Sequence, residues 1–171
     1  MCIRDRDWNT SAGANDLFVV KYNSSGTKQW TEQLGSASSD FANGVATDSS
    51  GNVYVTGGTK GGLDGNTSAG NTDLFVVKYN SSGTKDWTQQ LGSESTDTAN
   101  GVASDSSGNV YMTGGTKGGL DGNTSAGSTD LFVLKYNSSG TKQWTKQLGS
   151  SVRDSANGIT IDSSGNIYVR E

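Results

Sequence analysis

Oxygen-bearing side chains alternate along one stretch of this chain, and the same pattern returns 57 residues later. The two sets are Asp64, Asn66, Ser68 and Asp73, and Asp121, Asn123, Ser125 and Asp130. Calcium-binding loops begin with oxygen ligands at every second position. The expected glycine comes one position late, at Gly70, and Phe75 stands where an EF-hand places its bidentate glutamate. The pattern therefore leaves two hypotheses open, a calcium site in each copy or a polar turn rich in glycine and asparagine.

A second series of carboxylates stands one repeat apart, at Asp48, Asp105 and Asp162. An acidic ring is one interpretation of this spacing. Each aspartate, however, begins the sequence D-S-S-G, in which the side chain commonly accepts hydrogen bonds from the backbone of its own turn. We therefore expect these three residues to cap turns.

The composition removes several classes of activity. The chain contains no histidine, so it cannot build a Ser-His triad or a His-ligated zinc site, and it lacks the most common general base. We expect that it is not an enzyme and that it carries no cofactor other than the hypothetical calcium. The net charge of -4 provides no basic stripe for nucleic acid. No apolar run approaches the roughly 18 residues of a membrane helix, so we expect no membrane insertion.

The strands and turns that could position these residues belong to a segment that recurs three times along the chain. The segment DLFVVKYNSSGTKQW begins at Asp16 and returns almost unchanged at Asp73 and Asp130. A period of this order predicts a solenoid, a propeller or another repeat array. Within one repeat, four short stretches rich in Val, Tyr, Phe, Trp and Thr predict strands near residues 16–22, 27–34, 43–47 and 52–56.

Short turns join the predicted strands in pairs. N-S-S-G and D-S-S-G are typical of type I turns that end in a left-handed glycine. The glycines to which we assign this structural role are Gly26, Gly51, Gly83, Gly108, Gly140 and Gly165. Each repeat is therefore predicted to contain two β-hairpins of the same chemistry.

Two hairpins make a four-stranded antiparallel sheet, which is the blade of a β-propeller. The third strand has the smallest side chains and should lie nearest the axis, so the predicted strand order is third, fourth, first, second. We predict an all-β, incomplete β-propeller with a half blade at 7–41, full blades at 42–98 and 99–155, and a half blade at 156–171. The alternative is an open, β-solenoid-like array of the same repeats.

A tryptophan occupies the same place in each second strand, at Trp30, Trp87 and Trp144. The identical placement predicts a structural role, in which each indole packs against the neighbouring blade. Sugar binding by ring stacking is the alternative.

The first six residues, MCIRDR, resemble the translation of an adapter used in sequencing libraries. The stretch DWNTSAG that starts at Asp7 aligns with DGNTSAG at Asp64, so the repeat register begins where the adapter-like segment ends. We interpret residues 1–6, which include the only cysteine, Cys2, as non-native.

The segment LGSASSDFANGVATDSSGNVYVTGGT resembles the bacterial β-propeller (SBBP) repeat family. The matching residues are Asp40, Ala42, Val45, Asp48, Gly51, Asn52, Tyr54, Val55, Thr56 and Gly57. Met112 replaces the valine in the next copy, and Arg170 stands where the third copy should have threonine. The resemblance implies a secreted or cell-surface bacterial protein, in a family whose members mostly lack an assigned chemistry.

Near-identical repeats favour a multivalent surface over a single pocket. We expect a non-catalytic scaffold, part of a larger protein, that binds or adheres to an unknown protein or glycan through the loops at 57–72 and 114–129. Its other partner would be the remaining blades of the same full-length chain. The alternative is the propeller part of a secreted hydrolase or lyase. Its catalytic residues would lie outside this sequence, because near-identical blades do not supply the unlike residues that a central site needs.

Overall fold

The computed structural model of the chain describes residues 10–171, so the adapter-like segment and the first three residues of the stretch that starts at Asp7 lie outside the described residues. The described chain is built from strands and two short 3₁₀ turns. The strands are β1 Leu17–Tyr22, β2 Lys28–Leu34, β3 Asp40–Thr47, β4 Val53–Thr59, β5 Asp73–Tyr79, β6 Lys85–Leu91, β7 Asp97–Ser104, β8 Val110–Thr116, β9 Asp130–Tyr136, β10 Lys142–Leu148, β11 Gly158–Ile161 and β12 Ile167–Arg170. The 3₁₀ turns are Leu63–Gly65 and Leu120–Gly122.

The strands form two complete blades and two hairpins. One sheet has the order β3-β4-β5-β6 and the next has the order β7-β8-β9-β10, while β1-β2 and β11-β12 are two-stranded. Every pair is antiparallel. This is the predicted strand order, and the fold is an incomplete β-propeller of four-stranded blades.

The innermost strands of successive blades meet along the axis. In β3 the pairing register shifts between Ala42 and Gly44, which leaves Asn43 as a bulged residue. The Asn43 side-chain amide donates to the Ala99 carbonyl of β7 at 3.0 Å, and Asn100 of β7 repeats this bond to Ala156 at 2.9 Å. A bulge on the inner strand therefore ties each blade to the next one.

The hydrophobic core lies between the blades rather than within a single sheet. Leu74 and Val76 of the first blade pack in one cluster with residues of the second blade, including Met112, Phe132 and Leu134. A second cluster joins the β1-β2 hairpin to the other face of the first blade. Each sheet is thus covered on both faces wherever it has two neighbours, which explains why its strands are apolar on both sides.

The third and fourth strands are longer than the sequence predicts, and this corrects the loop boundary. Gly57 and Gly58 continue β4 as far as Thr59, so the loop predicted at residues 57–72 begins at residue 60. A Cβ on Gly57 would lie 1.9 Å from the Phe41 carbonyl oxygen. The glycine is therefore needed for close pairing with β3, although it resembles a loop signal in the sequence. Among the described residues, no helix is long and apolar enough to cross a membrane.

Candidate functional site

Long loops and short turns lie at opposite ends of the blades. Because consecutive strands are antiparallel, the β3-β4 and β5-β6 turns share one end, and the β4-β5 loop lies at the other. We call the surface formed by residues 60–72 and 117–129 the loop face. The loop face contains six of the eight candidate calcium residues, and the other two, Asp73 and Asp130, are the first residues of β5 and β9 directly after its loops. The opposite end contains the D-S-S-G and N-S-S-G turns.

A buried leucine anchors each loop of the loop face. Leu63, in the first 3₁₀ turn, is fully buried, and its N–H donates to the side-chain oxygen of Gln90 at 2.9 Å. The Gln90 amide nitrogen donates to the Gly61 carbonyl at 3.1 Å and to the Asp73 carboxylate at 2.7 Å. One glutamine on β6 therefore fixes both the start and the end of the loop.

The second loop repeats the same arrangement. Leu120 is fully buried and donates from its N–H to Gln147 at 2.9 Å. Gln147 donates to the Gly118 carbonyl at 3.0 Å and to Asp130 at 2.8 Å. The backbone angles of Asp64 and Asp121 are also the same, φ 54° and ψ 41°. The two loops consequently present one local structure twice.

Each candidate calcium residue of the first loop is engaged by protein groups. Asp64 forms an ion pair with Lys85, and the Asn66 side-chain amide donates to the Leu63 carbonyl at 2.8 Å. Ser68 donates to the Gly70 carbonyl at 3.2 Å. Asp73 is buried and accepts from the N–H groups of Ala69 at 2.8 Å and Gly70 at 3.2 Å.

The candidate residues of the second loop have equivalent partners. Asp121 pairs with Lys142 and accepts from Thr145 at 2.7 Å. The remaining three residues bond within the loop: Asn123 to Leu120 at 2.8 Å, Ser125 to Gly127 at 3.1 Å, and Asp130 to Ala126 at 2.7 Å. Within residues 10–171, no three acidic, cysteine or histidine side chains gather as metal ligands. Calcium binding stays a hypothesis, and in this geometry it would compete with Lys85 and Lys142.

The charge on Asp64 and Asp121 is stabilised locally. Partial burial raises the pKa of each carboxyl, but the hydrogen bond and the charge of Lys85 or Lys142, together with the neighbouring Thr88 or Thr145 hydroxyl, outweigh this effect and hold the pKa below its ordinary value. Both residues adopt left-handed backbone angles, which are uncommon for residues other than glycine. Each aspartate thus remains ionised beside its lysine at neutral pH.

The turn aspartates act as caps, as the sequence predicts. The Asp48 carboxylate accepts from the N–H groups of Ser50 at 2.9 Å and Asn52 at 3.0 Å, and from the Tyr54 hydroxyl at 3.0 Å. Asp105 and Asp162 make the same bonds in their own turns. The turn glycines that we assigned from the sequence, namely Gly26, Gly51, Gly83, Gly108, Gly140 and Gly165, all have positive φ angles, between 75° and 92°.

Two of the tryptophans contact the turn of the following blade. The indole N–H of Trp30 donates to the Ser81 carbonyl at 3.3 Å, and that of Trp87 donates to the Ser138 carbonyl at 3.3 Å. Trp87 also lies between two tyrosine rings, with centroids 6.2 Å from Tyr54 and 6.5 Å from Tyr136.

Trp30 and Trp144 each have one such ring partner. Trp30 contacts Tyr79 at 6.3 Å, and Trp144 contacts Tyr111 at 6.3 Å. Of the three tryptophans within residues 10–171, only Trp87 is therefore enclosed by rings from two blades.

Sequence reasoning missed the residues that hold the loop face in place. The sequence places Leu63 and Leu120 within the predicted loops at 57–72 and 114–129, and Gln90 and Gln147 within predicted second strands, with nothing to mark them as contacts. A signal was available, since a single leucine recurs in an otherwise polar loop and the glutamine is identical in all three copies, as Gln33, Gln90 and Gln147. The glutamine's partners are distant in sequence, so their identity could not be inferred from spacing.

Four-stranded antiparallel blades, joined by their inner strands and packed face to face, define a section of a β-propeller. The model of the β-propeller repeat family (SBBP) matches residues 29–64, 86–121 and 143–169, which together exceed half of the chain, and the chain belongs to this family. A second model, described as a β-propeller domain of unknown function (DUF5122), matches residues 49–88. The resemblance found in the sequence is confirmed.

Two curated relatives are longer proteins. The chain is 28% identical over 194 residues to "Regulatory protein FlaEY" of Caulobacter vibrioides, an alignment that covers 96% of the chain and 20% of that protein. It is 30% identical over 169 residues to "Uncharacterized WD repeat-containing protein L264" of Acanthamoeba polyphaga mimivirus, covering 82% of the chain and 12% of that protein. The chain thus spans a fifth or less of the length of these relatives.

Proposed function

We propose that this repeat scaffold is a non-catalytic binding module of a secreted or cell-surface protein, and that the loop face is its binding surface. The partner is a protein or a glycan with at least two equivalent sites. The observation that carries the proposal is the duplication of one rigid loop structure at a fixed spacing.

The duplicated loops present nearly the same side chains to solvent. The exposed residues of the first loop include Lys60, Asp64, Thr67 and Asn71, and those of the second include Lys117, Asp121, Thr124 and Ser128. The loops are held by Leu63 and Leu120, so binding would order few additional residues and would lose little conformational entropy. Two weak contacts made by one rigid body combine into much tighter binding, because the second contact forms at a high effective concentration.

The chain can be screened against printed glycan and extracellular-protein arrays, and hits can then be measured by surface plasmon resonance. Thr67→Arg blocks the first loop, Thr124→Arg blocks the second, and Ser49→Arg adds the same charge to an exposed turn at the other end. We expect each single loop variant to weaken binding to a bivalent target about a hundredfold. The double variant should abolish binding, and Ser49→Arg should leave it unchanged. Unaltered binding by the double variant would reject the loop face.

A further inference from the structure

An asparagine followed by a glycine occurs at the same repeat position three times along the chain. The pairs are Asn43-Gly44, Asn100-Gly101 and Asn157-Gly158. Every other asparagine of the sequence is followed by a residue that has a side chain, as Asn109 is by Val110. These three asparagines are therefore the ones whose side chains have an unhindered backbone nitrogen beside them.

The packing of successive inner strands explains why the glycine is present. A Cβ built on Gly101 would lie 3.2 Å from the Asn157 carbonyl oxygen of the following blade and 3.3 Å from the Cα atom of Gly158. Gly44 repeats this close approach, at 3.1 Å from the Asn100 carbonyl oxygen. A larger residue at either position would press on the next inner strand. Close packing thus places a glycine directly after the asparagine.

Asn100 lies at an interruption of the strand pairing. The register of β7 against β8 passes from Ala99 directly to Gly101, which leaves Asn100 as a bulged residue. Its side-chain amide donates to the Ala156 carbonyl at 2.9 Å and to the Asn157 side-chain oxygen at 3.3 Å. These bonds can open locally while the rest of the β7-β8 ladder stays paired.

We propose that Asn100-Gly101, together with the equivalent Asn43-Gly44, is a site of spontaneous deamidation that loosens the joint between successive inner strands. The backbone nitrogen of Gly101 attacks the side-chain carbon Cγ of Asn100 and gives up its proton to water. The bond between Cγ and Nδ2 breaks, and ammonia leaves. The product is a succinimide ring closed by the new bond between Cγ and the glycine nitrogen.

Water then opens the ring at one of its two carbonyl groups. Cleavage between Cγ and the glycine nitrogen gives aspartate at position 100. Cleavage between the backbone carbonyl carbon and the same nitrogen gives isoaspartate, in which the main chain passes through the side chain. Water is the only co-reactant, and the reaction does not depend on binding by the loop face.

Either product removes the bond that ties the second complete blade to the next inner strand. A carboxylate has no hydrogen to donate, so it would face the carbonyl oxygen of the buried Ala156 as a second acceptor. A buried acceptor without its donor is unfavourable, and a charge beside it adds to the cost. Isoaspartate also lengthens the main chain at a place where the inner strands are already in close contact.

Ageing of the whole chain tests the reaction. The protein is kept in mildly alkaline buffer at physiological temperature, and peptide mapping by mass spectrometry follows each asparagine with time. Deamidation raises the mass of a peptide by one dalton, and labelling with isoaspartyl methyltransferase identifies isoaspartate. We expect Asn43 and Asn100 to change about tenfold faster than Asn109, the internal control, because glycine has no Cβ to hinder the attack.

Asn100→Asp supplies one product directly and tests its effect on the joint. We expect a melting temperature lower by about 5 °C and faster hydrogen exchange in residues 97–104 and 158–161. Asn71→Asp adds the same charge to an exposed loop position and should change neither. The aged protein gives an independent comparison, because its melting temperature should fall as the modified fraction at residue 100 rises.

Two outcomes would overturn the proposal. If Asn43 and Asn100 change no faster than Asn109 in the aged protein, the inner strands protect the pair and it is not a modification site. If Asn100→Asp is as stable as Asn71→Asp, deamidation does not loosen the joint between the blades.

Discussion

The indole of Trp87 lies so close to Gly140, in the turn of the following blade, that a Cβ on this glycine would come within 2.9 Å of the ring. Trp30 and Gly83 repeat the relationship at 3.0 Å. Each copy of the fifteen-residue segment contributes both partners, a turn glycine for the preceding blade and a tryptophan for the following one. This reciprocal use explains why the segment recurs with so little change.

The buried leucine of each loop should be a major source of local stability. Leu63→Ala should lower the free energy of unfolding by about 3 kcal/mol, because it leaves a cavity in the core between the blades. Thr67→Ala, an exposed change in the same loop, should stay within about 0.5 kcal/mol. Urea unfolding measures both values, and a Leu63→Ala protein as stable as the control would show that the loop is not anchored by this residue.

The glutamine that holds the loop should be needed for its polar groups rather than for its size. Gln90→Leu leaves the Leu63 N–H and the Gly61 carbonyl without their partner, so we expect a cost of about 2 kcal/mol. Its neighbour Gln89 aligns with Glu32 and Lys146, so Gln89→Leu is the matched control and should be nearly neutral. Hydrogen exchange of residues 60–72 should become faster only in Gln90→Leu; equal exchange in both variants would contradict the assigned role.

Low pH should decrease the free energy of unfolding, because it protonates the aspartates that cap the turns. Burial raises the pKa of Asp48 and Asp105, but hydrogen bonds from Asn52 and Tyr54, and from Asn109 and Tyr111, outweigh it and leave each pKa below the ordinary 3.8. A group with a lower pKa in the folded state stabilises the protein above its unfolded pKa and loses this effect as the pH falls through the folded pKa.

Stability should consequently fall as the pH drops below about 4. Asp48→Asn should make the fall shallower, whereas Glu94→Gln controls for the loss of one exposed carboxylate. Urea midpoints measured between neutral and acidic pH provide the test. If the urea midpoint of Asp48→Asn falls with decreasing pH as steeply as that of the unaltered protein, the result would count against the capping role of Asp48.

Calcium should leave the protein unchanged, because Lys85 and Lys142 already neutralise Asp64 and Asp121. We expect no heat in a calorimetric titration with calcium and no shift in the melting temperature. A calcium-dependent shift in melting temperature that becomes smaller in Asp64→Ala and in Asp121→Ala, and disappears when the two changes are combined, would establish the calcium sites instead.

Much of the fold could be predicted because the turn and strand patterns within each repeat recur with the same period in all three copies. The D-S-S-G and N-S-S-G turns fix the hairpins, and the small residues of the third strand place it at the inner edge. The extent of the strands could not be predicted in the same way. Gly57 resembles a loop residue, and its role in close pairing depends on Phe41 of the neighbouring strand, which no local pattern reveals.

The sequence predicts where the loops of the loop face lie along the chain, but it does not predict the contacts that their residues make. The alternating oxygen residues indicated a metal or a turn, and the sequence alone could not decide between them. The lysine that pairs with Asp64 stands on β6, 21 residues further along the chain. Contacts of this kind arise from tertiary packing, and single-sequence patterns describe only neighbours along the chain.

Packing between successive blades holds this fold together, and a double-mutant cycle on Trp87 and Gly140 tests that packing most directly. Trp87→Ala should cost about 3 kcal/mol in urea unfolding. Gly140→Ala should cost clearly more than Gly26→Ala, since both glycines are left-handed, at φ 81° and 77°, but only Gly140 faces an indole. We predict that this excess disappears when Gly140→Ala is made in the Trp87→Ala background. Equal costs for the two glycines, or an excess that persists without the indole, would contradict the packing of each tryptophan on the next blade.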